Sequence, residues 1–183
     1  MKANIEKKYF KGSYYPPGDK SISHRIIILG SQTVGKSVVS NLLEGEDVIN
    51  TIKAMKELGA NIRKIDNKFI IYGVPPGSLL QPNKKLNFGN SGTGIRLISG
   101  LVASNNISTI LTGDKSLNNR PMRRVTEHLI KIGSNIKLKK NVYPPINIKG
   151  IGNAIPLSFD IKIPSAQIKS ALILSSLNTN GLV

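Results

Sequence analysis

Nine consecutive residues, Pro17-Gly18-Asp19-Lys20-Ser21-Ile22-Ser23-His24-Arg25, combine a loop-forming Pro-Gly pair with a lysine, two serines, a histidine and an arginine. They run directly into Ile26-Ile27-Ile28-Leu29. If that apolar segment is a helix, Ser21 and Ser23 sit at its start and Lys20 and Arg25 flank it. Free N–H groups and the positive end of the helix dipole make such a place receptive to oxyanions, phosphate above all. His24 reads as structural. A second stretch of the same kind is Phe88-Gly89-Asn90-Ser91-Gly92-Thr93-Gly94-Ile95-Arg96, which enters an apolar segment with Leu97, Ile98, Leu101 and Val102. A third begins at Pro164-Ser165-Ala166-Gln167-Ile168-Lys169 and leads into a helix expected to run to about Leu177. A further polar loop, Gly113 to Met122, carries Arg120.

These stretches recur at a regular interval. The basic residues Arg25, Arg96 and Lys169 are separated by 71 and 73 positions, and Lys53–Ile62 parallels Glu127–Ile136 at an offset of 74. A repeat of this length is a supersecondary unit rather than a solenoid repeat. Three such units about a common axis would bring three helix N-termini together, each with a hydroxyl (Ser21, Thr93, Ser165) and a cation.

The elements that must position these groups follow from the pattern. Residues 1–15, with Tyr14-Tyr15, read as an arm or edge strand. Val48, Ile52, Met55 and Leu58 give a helical face, with Asp47 as N-cap and Gly59 as the terminating glycine. Ile62 to Tyr72 reads as two strands about a turn at Asp66-Asn67, and Ser108 to Leu111 as another. Met122, Val125, Leu129 and Ile132 mark a second amphipathic helix with Pro121 in its first turn and Gly133 at its end. Asn135 to Lys149 suggests two more strands.

Composition limits the alternatives. An apolar fraction of 39% over 183 residues suffices for a core. The absence of cysteine removes disulfides, thiolate metal sites and cysteine nucleophiles. No apolar run approaches the ~20 residues of a membrane helix, and the first residues lack a signal-peptide core, so the expectation is a cytoplasmic protein with no membrane partner. The net charge of +16 comes mostly from scattered lysine, and aromatics are 5%. That pattern suits small anionic substrates better than nucleic acid, which would want stacking platforms.

Gly30-Ser31-Gln32-Thr33-Val34-Gly35-Lys36-Ser37 fits the Walker A pattern of a P-loop NTPase. Its following Val38-Val39 is poor helix sequence, the best Mg²⁺ partner, Asp114, is weakly placed, and the repeat is left unexplained. A turn between a helix and a strand is the preferred reading.

Four stretches, Gly18–Arg25, Asn90–Arg96, Gly113–Met122 and Ser165–Ala171, together resemble EPSP synthase (3-phosphoshikimate 1-carboxyvinyltransferase) in order over residues 14–183. The resemblance implies an α/β (α+β) fold of βαβαββ units with helix N-termini facing a cleft, here units of about 14–85 and 86–157 and an incomplete one at 158–183, after an arm at 1–13. It implies transfer of the enolpyruvyl group of phosphoenolpyruvate to the 5-hydroxyl of shikimate 3-phosphate, with no cofactor and no metal, by a protein that is a monomer when full length. Lys20, Ser21, Arg25, Ser165 and Gln167 would bind shikimate 3-phosphate. Lys20, Gly92, Arg120 and Gln167 would hold phosphoenolpyruvate. A buried Lys20 would also take part in proton transfer, and Asn90, Thr93 and Arg96 would shape the loops behind. The sequence stops one helix into its third unit and carries no second domain, so one half of a site is the expectation, with little or no turnover alone. The related UDP-N-acetylglucosamine enolpyruvyl transferase fits less well, since it carries a loop cysteine and lacks the Ser116–Met122 stretch. A binding-only or inactive fragment is the other alternative.

Overall fold

The computed structural model describes residues 11–182. Five α-helices and seven strands follow one another along them, with a 3-10 turn at Leu117–Asn119: α1 Lys20–Gly30, β1 Lys36–Ser40, α2 Glu46–Glu57, β2 Asn61–Ile65, β3 Lys68–Tyr72, β4 Leu86–Asn87, α3 Gly92–Ala103, β5 Ser108–Thr112, α4 Arg123–Lys131, β6 Asn135–Lys139, β7 Tyr143–Lys149 and α5 Ala166–Ser176.

The repeat is physical. One sheet has the order β1-β3-β2 and the other β4-β5-β7-β6. In each, a central antiparallel strand (β3, β7) separates two strands joined through a helix, α2 in the first case and α4 in the second. Both helices stop at a glycine in the left-handed region, Gly59 at φ +108° and Gly133 at φ +107°, where a Cβ would be strained. The second unit is a complete βαβαββ, because β4 pairs in parallel with β5 across α3. In the first, no strand precedes α1 among the described residues. Tyr14 and Tyr15 are exposed and outside any strand, which corrects the edge-strand reading, while residues 1–10 of that expected arm lie outside the described residues. The hairpin turn at Asp66-Asn67 is as expected, both residues taking positive φ.

Two helix starts differ from expectation. Gly45, not Asp47, is the N-cap of α2, and Asp47 turns its carboxylate toward α1 instead. Pro121 lies before the N-cap Met122, so α4 begins at Arg123. The Met122 N–H is taken by the Val142 carbonyl at 2.8 Å, which pins the loop ahead of α4 to the β6–β7 turn.

The core explains why α3 is apolar nearly all round. Ile95, Leu97, Ile98, Leu101 and Val102 are at most 1% exposed, inside one cluster with Ile27 and Ile28 of α1 and the inner faces of both sheets. Leu129, Ile168, Ala171 and Leu172 form a second cluster between α4 and α5. α2 packs against both α1 and α3, and α4 against both α3 and α5. Three core helices are thus bridged in turn by two outer ones.

Candidate active site

The segment from Lys36 to Ser40 is strand, not helix, so no helix N-terminus follows Gly35-Lys36-Ser37 and the P-loop geometry is absent there.

The start of α1 is built by Asp19, whose carboxylate accepts the Ile22 N–H at 2.7 Å. Gly18 is required by contact, since a Cβ would sit 2.7 Å from the Leu43 nitrogen. The Ser23 hydroxyl accepts the Leu43 N–H at 3.0 Å, so its oxygen serves the loop. His24 is fully buried and bonded through Nδ1 to the Thr51 hydroxyl at 2.8 Å. Burial lowers its pKa to about 4, only partly offset by Asp47, which keeps the ring neutral and structural. Lys20 is not buried as expected: its side chain is 51% exposed and ion-paired with Asp47 on α2. Ser21 is exposed beside it.

Arg25 and Arg96 occupy equivalent places. Each donates to the carbonyl one turn back, Ser21 O and Gly92 O, both at 2.9 Å. The structural equivalent of Ser21 in the second unit is therefore Gly92, not Thr93, and the second cradle presents a bare backbone rather than a hydroxyl. Both guanidiniums then reach α5: Arg25 to the Ser170 hydroxyl at 2.8 and 3.2 Å, Arg96 to Gln167 Oε1 at 3.0 Å. Gln167 Nε2 donates to the Thr93 hydroxyl at 3.1 Å. These bonds tie the first two turns of α1 and of α3 to those of α5. Ser165 caps α5, accepting the Ile168 N–H at 3.4 Å, and Lys169 stands exposed.

Arg120 approaches from the loop ahead of α4. It donates to the Asn90 carbonyl at 3.3 Å, the Asn90 side-chain oxygen, and the Ser116 hydroxyl at 3.4 Å. The Asn90 amide is oriented in turn by Asp114, which accepts from its Nδ2 at 2.9 Å and from the Leu117 N–H at 2.7 Å. Those bonds, the Leu117 N–H first, hold the Asp114 carboxyl below its ordinary value. Gly92 lies between the two guanidiniums: a Cβ there would be 3.0 Å from an Arg96 nitrogen and 3.1 Å from an Arg120 nitrogen. Burial, then the nearby charges of Arg120 and Arg124, push the Arg96 pKa down. Crowded like charges of this kind are relieved by an incoming anion.

The structure therefore gathers Lys20, Ser21, Arg25, Asn90, Gly92, Thr93, Arg96, Arg120, Ser165 and Gln167 at the helix starts and the adjoining loop. Sequence reasoning gave Asp47 only a capping role and Asp114 only a weak metal-partner role, and it did not single out Ser116 or Ser170. Asp114 and Ser116 fall inside the polar loop already singled out, but nothing in the sequence says that Asp114 faces Asn90. The partnership of Asp47 with Lys20 needs α2 to be laid against α1.

Comparison with known proteins agrees with this arrangement. The sequence profile of EPSP synthase (3-phosphoshikimate 1-carboxyvinyltransferase) matches residues 6–183. A 3-phosphoshikimate 1-carboxyvinyltransferase of Novosphingobium aromaticivorans is 46% identical over 173 residues, covering 94% of this chain and 39% of the relative. The Zymomonas mobilis enzyme of the same name is 46% identical, covering 93% and 38%. The solved EPSP synthase of Acinetobacter baumannii superposes with a TM-score of 0.88 at 37% identity, over 94% of this chain and 39% of that one. The chain spans about two-fifths of the length of these relatives. Its fold, its repeat and its matched sequence place it in the EPSP synthase family.

Proposed function

We propose that this chain supplies one wall of a site that moves the enolpyruvyl group of phosphoenolpyruvate to the 5-hydroxyl of shikimate 3-phosphate. The observation that carries this reading is the convergence of Lys20, Arg25, Arg96 and Arg120 on helix starts that already present free N–H groups. Both substrates carry a phosphate and a carboxylate. A bidentate guanidinium fork suits either group, and a lysine suits either as a point charge.

Roles follow from position. Ser21, Arg25, Ser165 and Gln167, on α1 and α5, would receive shikimate 3-phosphate. Gly92 and Arg120 would receive phosphoenolpyruvate, with Gly92 leaving its backbone open to close approach. Lys20 and Gln167 would touch both. In the transfer a bond forms between the 5-oxygen and the enol carbon, the bond from that carbon to the phosphate oxygen breaks, and the hydroxyl proton must be taken up. Lys20 can serve in that proton transfer as an ammonium released from Asp47 when substrates bind, giving a proton to the departing phosphate oxygen and regaining one from the hydroxyl. Thr93, Arg96 and Asn90 position Gln167 and Arg120.

The test uses the chain alone and the chain joined to the remainder of the Novosphingobium relative. Phosphate release from phosphoenolpyruvate that depends on shikimate 3-phosphate is expected in the joined protein and to be negligible in the 183-residue chain. Clear turnover by the chain alone, or none in a joined protein that folds, would overturn the reading.

A further inference from the structure

We infer, resting on the reading of Arg120 as a phosphoenolpyruvate ligand, that Asp114 is a positioning residue: through the neutral amide of Asn90 it aims Arg120 at that substrate without neutralising it.

The chain of contacts has one polarity. The Asp114 carboxylate accepts the Leu117 N–H at 2.7 Å through one oxygen and the Asn90 Nδ2 at 2.9 Å through the other. Its backbone N–H donates to the Gly89 carbonyl at 2.8 Å, so Asp114 is pinned to the loop that it orients. Asn90 turns its side-chain oxygen to Arg120. That amide stands between an ionised carboxylate, which only accepts, and a guanidinium, which only donates. One of its two orientations satisfies both neighbours, and the carboxylate selects it. The Leu117 N–H first, and then the Asn90 amide, favour the ionised form of Asp114.

The amide is also a spacer. Lys20 is ion-paired directly with Asp47, whereas Arg120 makes no ion pair among the described residues. Its partners are the Asn90 carbonyl, the Asn90 side-chain oxygen and the Ser116 hydroxyl, all uncharged. The guanidinium is therefore held in place with no carboxylate competing against an incoming anion for its N–H groups.

Two substitutions separate this role from turn-building. Asp114→Asn keeps the size of the side chain and an acceptor for the Leu117 N–H, as suits a turn, but sets an NH2 group against that of Asn90. Asp114→Glu keeps an acceptor-only end and is one methylene longer than the turn was built for. In the chain joined to the remainder of the Novosphingobium relative, Asp114→Asn is expected to raise the KM for phosphoenolpyruvate about tenfold, with kcat and the KM for shikimate 3-phosphate moving by no more than about twofold. Asp114→Glu should leave the phosphoenolpyruvate KM near the parent value. The expected rise runs against simple repulsion, because removing a negative charge near an anion site would by itself lower that KM. An unchanged phosphoenolpyruvate KM in Asp114→Asn, or equal rises in both variants, overturns the inference. The Asn90 side-chain amide gives a readout that needs no turnover. In ¹⁵N spectra of the 183-residue chain, exchange of its protons with water is expected to quicken about fivefold in Asp114→Asn, the worth of one hydrogen bond, and to stay near the parent rate in Asp114→Glu. Unchanged exchange in Asp114→Asn overturns the inference whatever the KM does. A joined parent protein that folds without turnover would instead remove the transferase reading, and the exchange rates would then decide whether Asp114 orients Asn90.

Discussion

Arg120 and Gln167 are each held by neighbours: Asn90 and Ser116 hold the one, Arg96 and Thr93 the other. Such restraint reduces the entropy that substrate binding must overcome. Gly92 is the point where the restraint is most easily upset. A methyl group at 92 presses on both guanidiniums, so in the joined protein Gly92→Ala is expected to raise the KM for phosphoenolpyruvate about tenfold, the worth of one charge-assisted hydrogen bond. The KM for shikimate 3-phosphate should move little, and an unaltered phosphoenolpyruvate KM would contradict the placement. His24 gives a pH signature. Its pKa is lower in the folded state, about 4, than the ordinary 6.5, so its contribution to stability is complete above 6.5 and is lost as pH falls from there toward 4. The unfolding free energy of the chain, read by urea denaturation, should fall through that window, by at most ~1.4 kcal/mol per pH unit from this one proton. His24→Leu should flatten that part of the profile, and an equally steep profile in the variant would assign the effect elsewhere.

The helix starts carry the site, so their caps matter to it. Ser91 is buried and accepts the Gly94 N–H at 3.0 Å. Ser91→Ala is expected to cost ~1 kcal/mol, a Tm loss of about 2–4 °C for a chain of this size, and an unchanged Tm would contradict the cap. At this scale the sequence was readily legible where spacing alone decides. The apolar faces of α2 and α4, the glycine stops at 59 and 133 and the Asp66-Asn67 turn are local patterns that local physics enforces. The misread caps have a different origin. Asp47 is a good cap by residue type, but packing α2 on α1 brings its carboxylate to Lys20, and Gly45 takes the cap instead. Pro121 suits a first turn, but Met122 is drawn to the Val142 carbonyl and the helix starts later.

Over the whole molecule, the repeat is what made the site readable. Offsets of 71, 73 and 74 residues announced equivalent units, and the bonds from Arg25 to Ser170 and from Arg96 to Gln167 are their meeting point. Equivalence was less legible at single positions: Thr93 shares a residue class with Ser21 but Gly92 shares its geometry, which only the two back-turned arginines reveal. The net charge of +16 concentrates small anions near these units, so their binding should weaken as salt rises. Whether the three helix starts recognise phosphate as one half of a site is tested most directly by calorimetry of shikimate 3-phosphate against the chain. Saturable binding, weak and roughly millimolar in Kd, that is lost in Arg25→Ala and Gln167→Ala is the expected result. No saturable heat, or binding that survives both substitutions, would contradict it.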